Sequence, residues 1–313
     1  MQISKTGGLI AAASKKATQP TLRLGSITVV QQIVLTFQQA GVFPIAVVTG
    51  FEADEVKYGL AGRGVVFLYN EEYQEPELFA SVRIGLEFLE NMCERIVFAP
   101  ANVPLFLPAT LRALLKTPGD IVTPSFQNKG GHPIILANDV IPAILSYQGG
   151  GGLRGALAEM ERKRRWVEVP DEGILLNVHQ QSALKAHLKN SRAEFMHPCL
   201  RLSMEGEEEL FNARAKLLLL LIGKTHSVRT AGDMMAMSAS KAWNILNKLE
   251  NALGYALIAR RRGGSEGSGS DLTPEGFDFL RAFQRYEEEV QAFSGGQFEK
   301  MLRNNGALGP KTK

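Results

Sequence analysis

Between Phe211 and Ser265 the chain concentrates cations. Arg214, Lys216, Lys224, Arg229, Lys241, Lys248, Arg260, Arg261 and Arg262 stand against Asp233 and Glu250, nine minus two or plus seven, where all 313 residues together carry +3. The chemistry this suits is polyanion binding, because ammonium and guanidinium groups neutralise phosphates and release their counterions. Within the stretch Ser240, Lys241, Asn244, Asn247, Lys248 and Asn251 fall on one side of a helix, and Ala239, Ala242, Leu246, Leu249 and Leu253 on the other. Hydroxyl, amide and ammonium groups bond phosphates and base edges, so the polar side fits the major groove of double-stranded DNA. Ser238 reads as the N-cap of this helix and Gly254 as its left-handed terminator. Arg260, Arg261 and Arg262 then lead into a glycine- and serine-rich tip, where they would hold backbone phosphates.

A second set of chemically suggestive residues lies earlier, at P-A-N-V-P (100–104), K-G-G-H-P (129–133) and G-G-G-G-L-R-G (149–155). Glycines there allow a ligand close to the backbone, and Arg154 could bond a phosphate. His132 and His179 are the histidines near these loops, and no third candidate ligand accompanies them, so no metal site is expected. Cys93 and Cys199 lie in different regions, which argues against a disulfide and for a reducing, cytoplasmic setting.

The elements that must position these groups follow from pattern. Short apolar runs at 8–13, 44–49, 65–69, 95–99, 121–122 and 133–136 alternate with helical patterns at 29–40, 80–92 and 108–116. Continuous apolar strands separated by helices imply an α/β fold with a mostly parallel, Rossmann-like sheet covered on both faces. Its ligand crevice lies beyond the carboxyl ends of the strands. Residues 190–198 read as a linker, and C-L-R-L-S-M at 199–204 alternates like a strand before the acidic run 205–209. Asn212 opens a helix buried at 217–222, and a shorter helix over Val228–Gly232 reaches a turn at 235–237. Phe279, Leu280, Phe283, Tyr286 and Val290 stripe a final helix at 277–293, a candidate contact either for a homodimer or within its own domain. The domains expected are 1–195 and 199–293, with a flexible tail at 294–313. No apolar run approaches a membrane span, and no signal peptide is expected at the N-terminus.

S-V-R-T-A-G-D-M-M-A-M-S-A-S-K-A-W-N (227–244), L-E-N-A-L-G-Y (249–255) and the arginine- and glycine-rich segment ending in L-T-P-E-G (260–276) resemble the DNA-binding domain of ModE-type regulators, a winged helix-turn-helix related to the LysR type. The resemblance implies DNA binding as a dimer, with Ser238, Ser240, Lys241, Asn244, Lys248, Arg260, Arg261 and Arg262 at the duplex.

The first domain is similar to MobA-like nucleotidyltransferases, which transfer cytidylyl or guanylyl units to molybdopterin. The similarity runs through G-L-I-A-A-A (8–13), Q-P-T-L-R-L-G-S-I-T-V-V (19–30), V-V-T-G-F (47–51), N-E-E-Y (70–73), A-N-V-P-L-F (101–106), G-G-H-P, G-G-L-R-G and E-G-I-L-L-N-V-H (172–179). It implies a ligand site made by Ala12, Ala13, Asn102, Gly131, His132, Gly152 and Arg154. It also implies where catalysis is impaired: the family lysine falls on Gln19, the metal-binding aspartate on Asn102, and a later D-x-D on Asn177 and His179. The nucleotide loop is shortened, although Lys15 and Lys16 could restore some charge. Nucleotidyl transfer needs magnesium on hard oxygen ligands, so the expectation is a transcriptional regulator with a catalytically degenerate sensor domain. No cofactor is expected, and the effector would be a nucleotide or a molybdopterin-type molecule. The alternative is a working molybdenum cofactor cytidylyl- or guanylyltransferase with an appended DNA-binding domain, using Mg2+ and CTP or GTP. A third is a protein-interaction module.

Overall fold

The structure is a computed structural model describing residues 4–14, 18–74, 78–160, 163–191, 194–195, 200–264 and 267–304. Lys15, Lys16, Cys199, residues 196–198 of the expected linker and the end of the expected tail (305–313) lie outside the described residues. The chain divides into two compact units, one from residues 1–60 and 67–198, the other from 61–66 and 199–307.

The first unit runs β1 (Ser4–Ala11), a small hairpin of β2 (Arg23–Leu24) and β3 (Ile27–Thr28), α1 (Val29–Gln39), β4 (Ile45–Thr49), α2 (Ala53–Leu60) and β5 (Val66–Tyr69). It continues with α3 (Leu78–Leu89), β6 (Cys93–Pro100), α4 (Pro108–Lys116), β7 (Ile121–Phe126), β8 (Lys129–Gly130) and β9 (Ile134–Ala137). Helices α5 (Ile141–Ser146) and α6 (Gly152–Glu159), strand β10 (Arg164–Glu168) and helix α7 (Gln181–Asn190) complete it. One sheet takes the order β10-β7-β9-β6-β1-β4-β5, with β8 on β7. β1 pairs parallel with β4 and β6, and β10 parallel with β7, while β9 runs antiparallel between β6 and β7. Leu9, Ile10, Val47, Val48, Ile96 and Val97 are buried in neighbouring strands, as apolar runs in a sheet covered on both faces must be. α1 begins at a capping box: the Gln31 N–H donates to Thr28 Oγ1 and the Thr28 N–H donates back to Gln31 Oε1.

The mostly parallel α/β sheet agrees with expectation; several details do not. The strand predicted at 133–136 is antiparallel, an orientation apolar content cannot encode. The glycine run 149–155 is not wholly a loop, because Gly152 begins α6. The alternation at 199–204 does not make a long strand either: residues 200–203 have no regular structure, and only Met204–Glu205 pairs.

The second unit contains hairpin β11 (Met204–Glu205) with β12 (Glu209–Phe211), then α8 (Ala213–Thr225), α9 (Val228–Met234) and α10 (Ala239–Leu253). Hairpin β13 (Ile258–Gly264) with β14 (Gly267–Leu272) and helix α11 (Pro274–Asn304) follow. Asn212 caps α8 by accepting from the Arg214 and Ala215 N–H groups, at 2.9 and 3.0 Å. Leu217 to Ile222 of α8 are fully buried, each such side chain contributing about 1.5–3 kcal/mol. α9 ends where Met235 and Met237 donate to the Gly232 carbonyl, both at 2.9 Å. A side chain at position 232 would press on Met237 O, so glycine keeps this turn tight. α11 continues past Phe293 to Asn304, so residues 294–304 are helical where a flexible tail was expected.

Candidate functional site

In the first unit the glycine loops and the sheet enclose a cavity of about 820 Å3. Gly131, His132, Gly152 and Arg154, four of the expected ligand residues, line it; Ala12, Ala13 and Asn102 do not. β8 and the turn after it carry Gly130–His132 across the cavity. The Gly131 N–H donates to Pro124 O and the His132 N–H to Ile174 O, each at 3.0 Å. A Cβ on residue 131 would lie 2.4 Å from Ile174 O, so only glycine permits this approach. Consecutive positive φ angles at Gly151 (80°) and Gly152 (55°) turn the chain into α6, with Gly152 against Phe79. Arg154 is exposed on the first turn of α6.

The lining is mostly apolar, with Phe79, Val82, Phe98, Ile134 and Leu157, and buried polar groups belong to its residues. Thr123 is 3% exposed, and its Oγ1 has no hydrogen-bond partner among the described residues. The same holds for His132 Nδ1, whose ring meets Phe98 edge-on at 5.6 Å. Buried polar groups without partners are costly, and both atoms are covered by protein although their residues line the cavity. Sequence reasoning missed Thr123, Arg164 and Trp166 in this lining. The guanidinium of Arg164 lies 5.0 Å from the Trp166 ring centre, and Trp166 is 47% exposed. A basic run ending in tryptophan was the available signal: a stacking surface beside cations.

Burial lowers the His132 pKa from 6.5 to about 4. The folded protein therefore keeps the ring neutral while the unfolded chain takes up a proton as pH falls through 6.5. The stability this group contributes is complete above pH 6.5 and is lost toward pH 4, roughly 2–3 kcal/mol by pH 4.5. Urea titrations at pH 7 and 4.5 should show His132→Phe losing less stability on acidification than the parent by about that amount. Equal losses in the two proteins would contradict the assignment.

The positions expected, from the resemblance, to have lost catalytic side chains lie outside this lining. The Val178 N–H donates to Asn102 O at 2.9 Å, which brings Asn102 beside Asn177 and His179. Asn102 Oδ1 is buried without a partner among the described residues, and Asn177 Oδ1 accepts from the His179 N–H at 3.1 Å. Two amides and an imidazole supply no anionic oxygen, so this set does not fit magnesium on a triphosphate. No cluster of three His, Cys, Asp or Glu side chains able to hold a metal occurs among the described residues. Gln19 has a φ of 39°, and its carbonyl accepts from the Leu22 N–H. Ala12 and Ala13 are buried, and Gly50 lies against both Ala13 and Tyr73.

In the second unit, α10 buries Ala242, Leu246 and Leu249 and exposes Ser240, Lys241, Asn244, Asn247 and Asn251. Ser238 Oγ accepts from the Lys241 N–H at 3.3 Å, and Gly254 closes the helix with a φ of 78°. Three side-chain roles were not foreseen. Arg260 stacks on Trp243 of α10, its guanidinium 4.3 Å from the ring centre. Glu250 accepts from the Leu257 and Ile258 N–H groups at 2.7 and 2.9 Å, tying the start of β13 to α10. Lys248 forms an ion pair with Glu208 of the acidic hairpin. Arg261 and Arg262 lie on β13, and their side chains are outside the described residues. Gly276, in the L-T-P-E-G segment, faces Leu257 O, where a Cβ would lie 2.5 Å away.

Residues 14–164 match the family model described as the MobA-like NTP transferase domain. The chain is 32% identical over 85 residues to the molybdenum-pterin-binding protein MopB of Rhodobacter capsulatus, covering 27% of this chain and 31% of that protein. It thus spans about a third of the length of this curated relative. Among solved structures, a nucleotidyl transferase from Methanothermobacter thermautotroptrophicus superposes with a TM-score of 0.52 at 22% identity, covering 60% of this chain and 99% of its own. Rv0371c from Mycobacterium tuberculosis covers 54% of this chain and 88% of its own, at 22% identity and a TM-score of 0.47.

Proposed function

We propose, with a MobA-like NTP transferase domain over residues 14–164 as the premise, that this chain is a DNA-binding transcriptional regulator whose first domain senses a small anionic ligand. The observation that carries the reading is the exposed face of α10. Hydroxyl, ammonium and amide groups of Ser240, Lys241, Asn244 and Asn247 stand together there, on a capped helix anchored by its buried opposite face. With α9, the turn 235–237 and the hairpin β13–β14, this reads as a winged helix-turn-helix in which α10 enters the major groove. Arg260, held on Trp243, would meet phosphate beside it.

The sensor half of the reading rests on the cavity and on the lost donor set. Amides at Asn102 and Asn177 argue against nucleotidyl transfer, while the cavity lined by Gly131, His132, Gly152 and Arg154 favours retained binding. The ligand class we favour is a nucleotide or a molybdopterin-type compound, linked to molybdenum metabolism, with Arg154 and Arg164 near its anionic group. Differential affinity of the ligand for two states of the protein would then shift DNA binding. A homodimer is part of the proposal: Tyr286 and Phe293 of α11 are 55% and 68% exposed, seven residues apart on one helix face.

Selection from a random duplex library is expected to enrich a defined sequence. Joint replacement Lys241→Ala and Asn244→Ala should weaken binding to it by about 10- to 100-fold, from lost base and phosphate bonds. Failure of the unaltered protein to enrich any sequence at low salt would end the reading. The family match favours one rival, an active cytidylyl- or guanylyltransferase, and magnesium-dependent release of pyrophosphate from CTP or GTP would establish it.

A further inference from the structure

We infer that the hairpin β11–β12 is an autoinhibitory element, in which Glu208 occupies Lys248 and withholds it from duplex phosphate. This rests on the DNA-binding reading above and adds a regulatory contact to it. Lys248 projects from the same side of α10 as Lys241, Asn244 and Asn251, the side left open to a partner. Unlike Lys241, it is already engaged: its ammonium is paired with the Glu208 carboxylate.

The hairpin is shaped for that role. β12 runs against α10, and Glu205, Glu207, Glu208 and Glu209, four carboxylates in five residues, are all exposed. Two are anchored locally: Glu205 accepts from Ser203 Oγ and Glu209 from Asn212 Nδ2, each at 2.7 Å. Glu208 reaches across to the helix instead. A hairpin serving only to cover the core would gain nothing from negative charge beside a face that must accept a polyanion. Phosphate approaching Lys248 has to displace Glu208 and meets the remaining carboxylates, which repel it. Both partners are partly exposed, so the clamp is weak enough for duplex to displace and strong enough to bias affinity.

The test is a double-mutant cycle on the full-length protein, using fluorescence anisotropy with the library-selected duplex from 50 to 300 mM salt. Glu208→Gln is expected to tighten binding by about fivefold, the upper range for an exposed ion pair. It should also steepen the log–log salt dependence by about 0.9, one additional phosphate contact. Lys248→Ala should change the affinity of the parent by less than about twofold, yet remove the entire gain in the Glu208→Gln background. Glu87→Gln, an equal change of net charge on α3, should leave affinity and slope unaltered. The inference is overturned if Glu208→Gln binds like the parent, gains no more than Glu87→Gln, or keeps its gain without Lys248. Absence of any duplex binding by the parent protein would instead remove the DNA-binding reading.

Discussion

Glu287→Ala is expected to destabilise the second unit by about 3–5 kcal/mol, the cost of removing the carboxylate paired with a buried charge that Glu288 nearby offsets only in part. The charge is Lys216, 2% exposed in the leucine-rich helix α8, with its ammonium paired to Glu287 of α11. Burial pushes the Lys216 pKa below the usual lysine value, against the upward pull of Glu287. The unfolded chain thus keeps a proton that the folded one releases earlier, so the burial penalty is relieved as pH rises toward 10.5. The loss in Glu287→Ala should therefore shrink in alkali. Lys216→Met in the Glu287→Ala background should recover most of the stability, because an apolar side chain of similar length needs no counter-charge. Because the chain has two units, hydrogen exchange of the α8 amides during urea titration is the suitable readout. A loss under 1 kcal/mol, or no rescue by methionine, would show that the pair is not what seats α11 on α8. The neighbouring contacts agree with such seating: Phe211 meets Phe279 and Phe283 edge-on at 4.9 and 4.7 Å.

Asp171→Ala should have a comparable effect in the first unit, about 3–5 kcal/mol, with loss of cavity binding as its functional consequence. This buried carboxylate accepts from the Leu107 N–H at 2.8 Å, Thr110 Oγ1 at 2.6 Å and the Gly173 N–H at 2.9 Å. Alanine strands three donors, each costing about 1–3 kcal/mol when buried. It also releases the turn 172–174, whose Ile174 carbonyl holds the His132 N–H and packs against Gly131. Calorimetry with CTP, GTP and molybdopterin compounds should therefore show affinity falling at least tenfold for whichever the parent binds. Asp171→Asn, which keeps an acceptor oxygen, should cost less. Burial raises the Asp171 pKa, so the folded state takes up its proton before the unfolded one as pH falls. Acidification does not weaken this site, and the acid loss expected of the first unit belongs to His132. Unchanged ligand affinity in a stable Asp171→Ala protein would sever the turn from the cavity.

Much of the architecture was legible because it is local. The α4 boundaries, the caps at Asn212 and Ser238 and the left-handed Gly254 follow from side chains that bond or bend their own backbone within four residues. The continuous apolar strands announced a sheet covered on both sides. Their alternation could not reveal the antiparallel course of β9, since a strand buried on both faces reads the same in either direction. Glycine loops marked the neighbourhood of the cavity, and four of their residues line it. Ala12, Ala13 and Asn102 were expected with them but sit apart, because strand ends that share a sheet edge need not share a cavity.

What the sequence by itself determined is the inventory of charge and donors: amides at Asn102 and Asn177, and an excess of cations after residue 211. Tertiary structure decided which of those groups remain available. Lys248 is spoken for by Glu208, Lys216 is buried on Glu287, and Arg260 lies on Trp243. The reason is physical. A side chain's type is written at one position, but its partners arrive from residues 17 to 71 positions away, and only folding brings them within bonding distance.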